Sequence, residues 1–166
     1  MNVQWRRLLP RDAPEVHALE KQCFTLPWSQ EAFTDEFSHP ERAVYFGAFL
    51  EACTPVLPGL PAPGFAQSQL MAYGGYWLIC DEAHITNIAV RDIFRRQGYA
   101  RSLMMRLIND AAGRGMHGVT LEVRRSNLAA QSLYESMGFL PSGVRPGYYA
   151  DTQEDALIYW LKLNAH

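Results

Sequence analysis

Residues 90–111 read VRDIFRRQGYARSLMMRLINDA, and this stretch decides the fold that the sequence predicts. It ends an apolar segment, passes through a basic turn with one glycine, and then repeats apolar residues at the spacing of a single helix face. The apolar positions of that face are Leu103, Met104, Leu107, Ile108 and Ala111. We therefore expect a strand, then the turn RRQGY, then a helix that begins near Ala100.

The turn itself has the features of an anion-binding site. A helix N-terminus exposes unpaired backbone N–H groups and the positive end of the helix dipole. Gly98 and Ala100 are small enough for an anion to approach this backbone closely, and Arg95, Arg96 and Arg101 add positive charge. The pattern favours a phosphate, and a pyrophosphate over a single group. Neither G-x-G-x-x-G nor G-x-x-x-x-G-K is present, and a solvated turn flanked by arginines fits the same residues.

After residue 80 the sequence alternates between two patterns. Segments rich in β-branched and aromatic residues read as strands: AHITNIAV, GVTLEV and DALIYWLKL. Between them lie two amphipathic segments typical of helices, ARSLMMRLINDAAGR and NLAAQSLYESM. Ser126 or Asn127 caps the second helix and Gly138 ends it. Alternating strands and helices predict βαβ units with parallel pairing.

The first half of the chain supplies further strands and two helices. The strand-like segments are VQWRRLL, AVYFGAFL and LMAYGGYWLIC. RDAPEVHALEKQCF predicts a helix, with Asp12 as its N-cap and Glu15 as the capping-box partner. A second helix is expected to begin at Ser29. Together these elements predict one α/β domain over residues 1–166, with a central mixed sheet flanked by helices.

A proline-rich insertion interrupts this pattern at about residues 51–69. Prolines cannot donate the hydrogen bonds of a strand ladder, so the segment is expected to be a loop. It is too long for a simple hairpin turn. A tolerated surface insertion is the favoured interpretation, and a lid or a partner contact is the alternative.

Composition excludes several classes of protein. The chain has 166 residues, 48% of them hydrophobic and 19% charged, with a net charge of −2, which describes a globular protein without a general attraction for nucleic acid. Cys23, Cys53 and Cys80 form neither a CxxC pair nor a metal-ligand spacing, so we expect reduced thiols, no metal and a cytoplasmic location. The N-terminus lacks the apolar run of a signal peptide, and no membrane span is expected.

Two side chains beyond the turn are candidates for chemistry. Glu122 alternates with apolar neighbours in GVTLEV, so it points to the opposite sheet face and is either a solvated charge or a positioned base. Asn127 and Tyr134 are seven residues apart and share one helix face. Taken alone, Tyr134 fits a partly buried aromatic residue with its hydroxyl at the surface, whereas Leu133 and Met137 are expected on the buried side.

The turn and four further segments resemble a known family. RRQGYA matches the R/Q-x-x-G-x-G/A acetyl-CoA motif of the GNAT acetyltransferases, in the strand-to-helix context that this motif requires. FTLPWS, EAHITNIAV, LEVRRSNLAAQSLYESMGF and GYYADTQEDALIYWLKL together look like the RimI-type ribosomal-protein alanine N-acetyltransferases. The resemblance covers nearly the whole chain except the insertion. This sequence departs from the family pattern at His84, at Ala100 and in the insertion. Alanine still permits the close turn, so the implied cofactor assignment stands, whereas the insertion leaves the acceptor specificity open.

The resemblance implies a fold and a set of roles. It implies the GNAT fold, a central mixed β-sheet flanked by helices with acetyl-CoA bound at the strand-to-helix turn. The residues that it implies for the cofactor are Ile88, Ala89, Val90, Arg95, Arg96, Gln97, Gly98, Tyr99, Ala100 and Asn127. It implies Glu122 as general base and Tyr134 as general acid. Tyr148, Tyr149 and Trp28 would line the acceptor side.

The implied chemistry is consistent with ordinary pKa values. An α-amine has a pKa of about 7.7 to 8.0 and lysine about 10.4, so an N-terminal acceptor makes a modest demand on its base. Tyr134, with an ordinary pKa of about 10, lies above a thiol near 8.5 and can donate to the departing sulfur. His84 is a rival base, or simply a packed strand histidine. Because all three cysteines lie away from the Glu122 and Tyr134 segments, we expect direct transfer in a ternary complex.

The implied acceptor is the α-amine of an N-terminal alanine in a small-subunit ribosomal protein. A small amine or a lysine side chain would use the same fold and cofactor. A non-catalytic acetyl-CoA-binding module is the other alternative, and the presence of both Glu122 and Tyr134 argues against it. No RNA-binding motif is visible, so direct binding of nucleic acid is not expected.

Overall fold

The computed structural model describes residues 2–51 and 69–163. The strands are β1 Val3–Arg7, β2 Ala43–Leu50, β3 Gln69–Ile79, β4 Glu82–Val90, β5 Gly118–Arg124, β6 Leu140–Tyr149 and β7 Glu154–Lys162. The helices are α1 Ala13–Cys23, α2 Gln30–Ser38, α3 Tyr99–Gly113 and α4 Leu128–Ser136. Most of the proline-rich insertion, with Cys53, lies outside the described residues. None of the described helices is long and apolar enough to cross a membrane.

The strands form one seven-stranded mixed sheet in the order β1-β2-β3-β4-β5-β7-β6. The mixed sheet is as expected, but parallel pairing joins β4 to β5 alone among the described strands, and the other neighbours are antiparallel. The difference arises from β6, which the sequence pattern did not indicate. β6 is exposed along almost its whole length and contains Pro141 and Pro146, so it lacks the alternation of a half-buried strand. Because β6 precedes β7 and pairs with it, β7 runs antiparallel to β5 and not parallel to it as the βαβ pattern predicted.

Two layers of helices cover opposite faces of the sheet. α3 and α4 pack on one face, where Leu103 and Leu107 meet Leu121 of β5 in a buried core. α1 and α2 cover the other face, where Phe33 packs with Tyr73 of β3. The expected stripe of α3 is confirmed, with four of its five members fully buried.

The start of α1 differs from the expected capping box. Asp12 makes no capping bond and instead accepts hydrogen bonds from Arg6 at 2.7 and 2.8 Å and from the Leu9 N–H at 2.8 Å. Glu15 Oε1 accepts from the Leu70 N–H at 2.6 Å. The capping box is therefore wrong, because both carboxylates are engaged elsewhere. The cap of α2 is confirmed, since Ser29 Oγ accepts from the Ala32 N–H at 3.2 Å.

The centre of the sheet opens where β4 leaves β5. The two strands pair only over residues 82–85 of β4 and 118–121 of β5. Thr86 has no partner in the register between β3 and β4 and forms a bulge there, which bends β4 away. Residues 86–90 consequently have no strand on the β5 side within the described part of the chain. Their backbone groups border the cavities described next.

Candidate active site

Two adjoining cavities occupy the opening between β4 and β5. We call the larger one, of about 850 Å³, the basic cleft, because Arg95, Arg96 and Arg101 lie on its wall. We call the smaller one, of about 340 Å³, the carboxylate cavity, because Glu20 and Glu122 line it. Four residues belong to both walls: Phe24, Ile88, Asn127 and Tyr134. A molecule in one cavity is therefore close to a molecule in the other.

The turn before α3 forms the floor of the basic cleft. Gly98 has a φ of 86°, a left-handed conformation that a side chain disfavours. Apart from its chain neighbours, no atom of the residues that the structure describes lies within 4 Å of where its Cβ would stand. Gly98 is the N-cap of α3 without any side-chain capping bond. The first N–H groups of α3 are thus directed at open space beside positive charge, as binding of an anion requires.

Most of the residues that the sequence assigned to the cofactor do line this cleft. They are Ile88, Ala89, Val90, Arg95, Arg96, Gly98, Tyr99, Ala100 and Asn127. Gln97 is not part of the wall, and its Nε2 donates to the Ile93 carbonyl at 3.1 Å, which holds the turn. Arg95 is also tied locally, since its Nε donates to the Val90 carbonyl at 3.0 Å. Asn127 caps α4 by accepting from the Ala130 N–H at 3.2 Å.

Cys23 also lines the basic cleft, at the end of α1. The expectation that all three cysteines lie away from the site is wrong for Cys23, since it shares a wall with Tyr134 although 111 positions separate them in the sequence. Its Sγ lies 3.7 Å from an Arg95 nitrogen. Burial raises the pKa of the thiol, which outweighs the nearby arginine. The thiol is therefore a poor nucleophile at neutral pH, and direct transfer is still the expected mechanism.

Glu122 of β5 lies in the carboxylate cavity between His84 and Arg145. His84 Nε2 lies 2.6 Å from Glu122 Oε2, and Arg145 Nε lies 3.1 Å from Glu122 Oε1. Burial acts to raise the pKa of Glu122, but the hydrogen bond and charge of His84 and the charge of Arg145 outweigh it. The pKa lies below its ordinary value, so the side chain is a carboxylate at neutral pH. Glu122 is not a solvated outward charge.

Tyr134 of α4 stands where the two cavities meet. It is 8% exposed, and its ring packs against Phe139 and Tyr159. Burial raises the pKa of its hydroxyl to about 12. Tyr134 is thus more buried than expected for an aromatic residue with its hydroxyl at the surface. Leu133 and Met137, which were expected on the buried side of the helix, are only partly buried.

Aromatic rings form the outer wall of the carboxylate cavity. Trp28, Tyr148 and Tyr149 all line it, in the region where the sequence resemblance put them. The Trp28 ring stacks on Trp77 with 5.8 Å between centroids, and the Tyr149 ring lies 3.9 Å from the Arg124 guanidinium.

A set of polar contacts ties the two rims of this cavity together. Asp151, in the turn between β6 and β7, accepts from Arg124 at 2.8 Å and from the Thr25 hydroxyl at 2.5 Å. Thr25 belongs to the segment between α1 and α2. The β6–β7 hairpin is thereby fastened across the cavity to the opposite helical layer.

A buried polar cluster forms the inner wall of the carboxylate cavity. Glu20 of α1 is 1% exposed and accepts hydrogen bonds from Asn87 Nδ2 at 3.2 Å, from the Trp28 N–H at 3.4 Å and from the Tyr73 hydroxyl. Burial raises its pKa to about 7, against the effect of the Trp28 N–H.

Sequence reasoning missed Glu20, Asn87 and Arg145. Glu20 and Asn87 are 67 positions apart, and Arg145 lies on the strand that was not predicted. A glutamate next to Leu19 in the apolar stripe of α1 was the one available signal.

Comparison with known proteins gives a consistent result. A family model described as "Acetyltransferase (GNAT) family" matches residues 13–139. A Bacillus subtilis (strain 168) protein named putative [ribosomal protein bS18]-alanine N-acetyltransferase is 32% identical over 159 residues, which cover 96% of this chain and 95% of that protein.

Solved structures agree in fold. The crystal structure of the ribosomal-protein-S18-alanine N-acetyltransferase from Escherichia coli superposes with a TM-score of 0.80 at 31% identity, covering 99% of this chain and 96% of that one. Arabidopsis thaliana NAA60 in complex with acetyl-CoA superposes with a TM-score of 0.81 at 18% identity, covering 98% and 99% of the two chains. The second similarity concerns the fold alone.

Proposed function

The chain belongs to the GNAT family of acetyltransferases, and we propose that it transfers acetyl from acetyl-CoA to the α-amine of an N-terminal alanine in a small-subunit ribosomal protein. The observation that carries the proposal is the meeting of two cavities at Tyr134, one bordered by a helix N-terminus and arginines, the other by a carboxylate. The named activities of the Bacillus subtilis and Escherichia coli relatives support the acceptor.

The basic cleft is the proposed site of acetyl-CoA. The N-terminus of α3, with Arg96 and Gly98, suits a pyrophosphate, since it presents unpaired N–H groups and positive charge around an open space. Residues 88–90 of β4 have backbone groups free of β5 and suit the amide-bearing arm of the cofactor. Acetyl-CoA supplies an acetyl group activated as a thioester.

Glu122 is the proposed general base. Its carboxylate is ionised at neutral pH and can take a proton from the incoming amine, directly or through a water. The lowered pKa makes Glu122 a weak base. A weak base is sufficient for an α-amine acceptor, because roughly a tenth of the amine is already neutral at pH 7. His84 Nε2 lies 2.6 Å from the same carboxylate and holds it in place. A lysine acceptor would require a far stronger base.

Tyr134 is the proposed general acid. A pKa of about 12 keeps its hydroxyl protonated throughout the neutral range. A thiol has a pKa of about 8.5, so full transfer of a proton from a hydroxyl with a pKa of about 12 is uphill, and Tyr134 acts by donating a hydrogen bond to the departing sulfur as negative charge develops on it. Its position at the junction of the cavities suits this role.

Two peptides test the acceptor. One has a free N-terminal alanine and no lysine, and the other is N-terminally blocked with an internal lysine. Each is incubated with the protein and acetyl-CoA, and mass spectrometry locates the modified atom. Acetylation of the first alone is the expected result. Acetylation of the second alone would overturn the acceptor, and no transfer to either would direct attention to small amines and to a non-catalytic role.

A further inference from the structure

A buried amide on β4 has one polar atom without a partner. Asn87 is 6% exposed, and its Nδ2 donates to Glu20 Oε1 at 3.2 Å. Its Oδ1 is buried and accepts no hydrogen bond from any residue in the described ranges 2–51 and 69–163. The large majority of buried side-chain polar atoms in folded proteins are hydrogen-bonded. A molecule bound in the adjoining cavity is a candidate source of the missing donor.

The orientation of the Asn87 amide is fixed by its neighbours. Glu20 accepts from three donors, namely Asn87 Nδ2, the Trp28 N–H and the Tyr73 hydroxyl. Where Glu20 is ionised, above about pH 7, rotation of the amide by half a turn would put Oδ1 against a carboxylate oxygen and lose the bond from Nδ2. Nδ2 then stays toward α1, and Oδ1 is the atom of the amide without a partner.

Asn87 lies in the wall of one of the two cavities. Asn87 lines the carboxylate cavity together with Glu122 and His84, and it is not part of the wall of the basic cleft. The next residue, Ile88, lines both. A donor from the acceptor, near its reacting end, is therefore better placed to meet this residue than one from acetyl-CoA.

We propose that Asn87 Oδ1 accepts the first peptide N–H of the acceptor, the amide between its residues one and two, and thereby selects peptide N-termini over side-chain amines. This inference rests on the proposed function. The α-amine hydrogens are taken by Glu122, and the next donor in a peptide is this N–H, three bonds farther along the chain.

A lysine side chain or a simple alkylamine has only methylene groups at that distance. Binding of such an amine leaves Oδ1 buried and unpaired, and sites built around a buried polar group strongly reject analogues that lack its partner. Asn87 is thus a specificity-determining residue that acts alongside the weak basicity of Glu122.

Two variants of similar side-chain size separate binding from support of the fold. Asn87→Leu removes both polar atoms, and it should raise the KM for an alanine-initiated peptide about tenfold or more while the KM for acetyl-CoA stays within about twofold. Asn87→Asp keeps an oxygen at the Oδ1 position but loses the amide donor to Glu20. Because the pKa of Glu20 is raised, its carboxyl group and the introduced one can share a proton. It should keep the peptide KM within about threefold of wild type.

The opposite ranking would overturn the inference. If Asn87→Asp is at least as impaired as Asn87→Leu, the oxygen at the Oδ1 position is not what the peptide requires. A peptide KM for Asn87→Leu within about twofold of wild type would overturn it as well, as would an equal rise in the KM for acetyl-CoA. Tyr76→Phe is the matched control, because it removes a buried hydroxyl that donates to Asp110, away from both cavities.

A modified peptide gives an independent readout. Methylation of the amide nitrogen of residue two should cost wild type about tenfold in kcat/KM and cost Asn87→Leu little more, because the contact is already lost there. Equal losses in the two proteins would overturn the assignment of this N–H. The outcomes stay distinct from those of the proposed function, which fails if wild type does not acetylate the unmodified peptide at all.

Discussion

His84 Nε2 lies 2.6 Å from Glu122 Oε2, so an imidazole of β4 and a carboxylate of β5 share one hydrogen bond where the two strands begin to diverge. Arg145 of β6 contacts the other oxygen of the same carboxylate at 3.1 Å. The proposed base is therefore held from both sides. Both contacts favour the ionised carboxylate, which is the form that can accept a proton from the amine.

Replacing Glu122 by Gln should lower kcat by about 10²-fold or more, because the amide cannot accept the amine proton. The KM for acetyl-CoA should change little, since Glu122 lies outside the basic cleft. Steady-state kinetics with an alanine-initiated peptide measures both. Glu135→Gln is a suitable control, because Glu135 accepts a hydrogen bond from Tyr159 but lines neither cavity. Retention of more than a tenth of wild-type kcat by Glu122→Gln would exclude it as the base.

Replacing Tyr134 by Phe should cut turnover by about 10²-fold while acetyl-CoA binding, measured by calorimetry, stays close to wild type. Only the hydroxyl is lost, and the ring keeps its contacts with Phe139 and Tyr159. Tyr159→Phe removes a neighbouring buried hydroxyl outside the cavities and should leave turnover almost unchanged. An unchanged rate for Tyr134→Phe would end its assignment as the acid.

Replacing Gly98 by Ala should raise the KM for acetyl-CoA about tenfold and leave the peptide KM nearly constant. The added methyl group meets no protein atom, but it occupies the open space in which an anion would approach the backbone. The φ of 86° adds strain of about 1 kcal/mol. Gly115→Ala is a matched control, because Gly115 has a φ of 75°, equally open surroundings and no place in either cavity. Equal effects of the two variants on acetyl-CoA would argue against the anion site.

The sequence predicted those parts of the site that depend on local patterns. The stripe of α3 and the glycine before it located the basic turn, and alternation in β5 put Glu122 on the face opposite Leu121 and Val123. Both depend on the spacing of residues within a single element. The buried side of α3 and the cap of α4 could be predicted for the same reason.

The remaining parts depend on contacts between distant segments. The bulge at Thr86 reverses the alternation of β4, so Ile85 packs in the α3–α4 core whereas Ala89 packs in the α1–α2 core. No residue pattern in β4 marks this change. The contact of Asn87 with Glu20 depends on it, and the contact of Arg145 with Glu122 depends on β6, whose exposed residues follow no hydrophobic period.

The free energy of unfolding should depend on pH through Glu20. Its pKa rises from an ordinary 4.5 to about 7 on folding, so the folded state binds this proton more tightly than the unfolded state. The resulting stabilisation is fully present below about pH 4.5 and is lost as pH rises through about 7, a change of at most about 3 kcal/mol. Denaturant titrations at pH 5 and pH 7.5 measure it.

The variant Glu20→Gln should lack this difference between the two pH values, because the amide does not titrate. Asp12→Asn provides the control: Arg6 and the Leu9 N–H outweigh burial and hold the pKa of Asp12 below its ordinary value, so Asp12 is ionised in both states from pH 5 to 7.5. Its replacement should lower stability by a similar amount at both pH values, since it breaks the contact with Arg6. If Glu20→Gln keeps the full pH dependence of wild type, Glu20 is not the group that takes up the proton on folding.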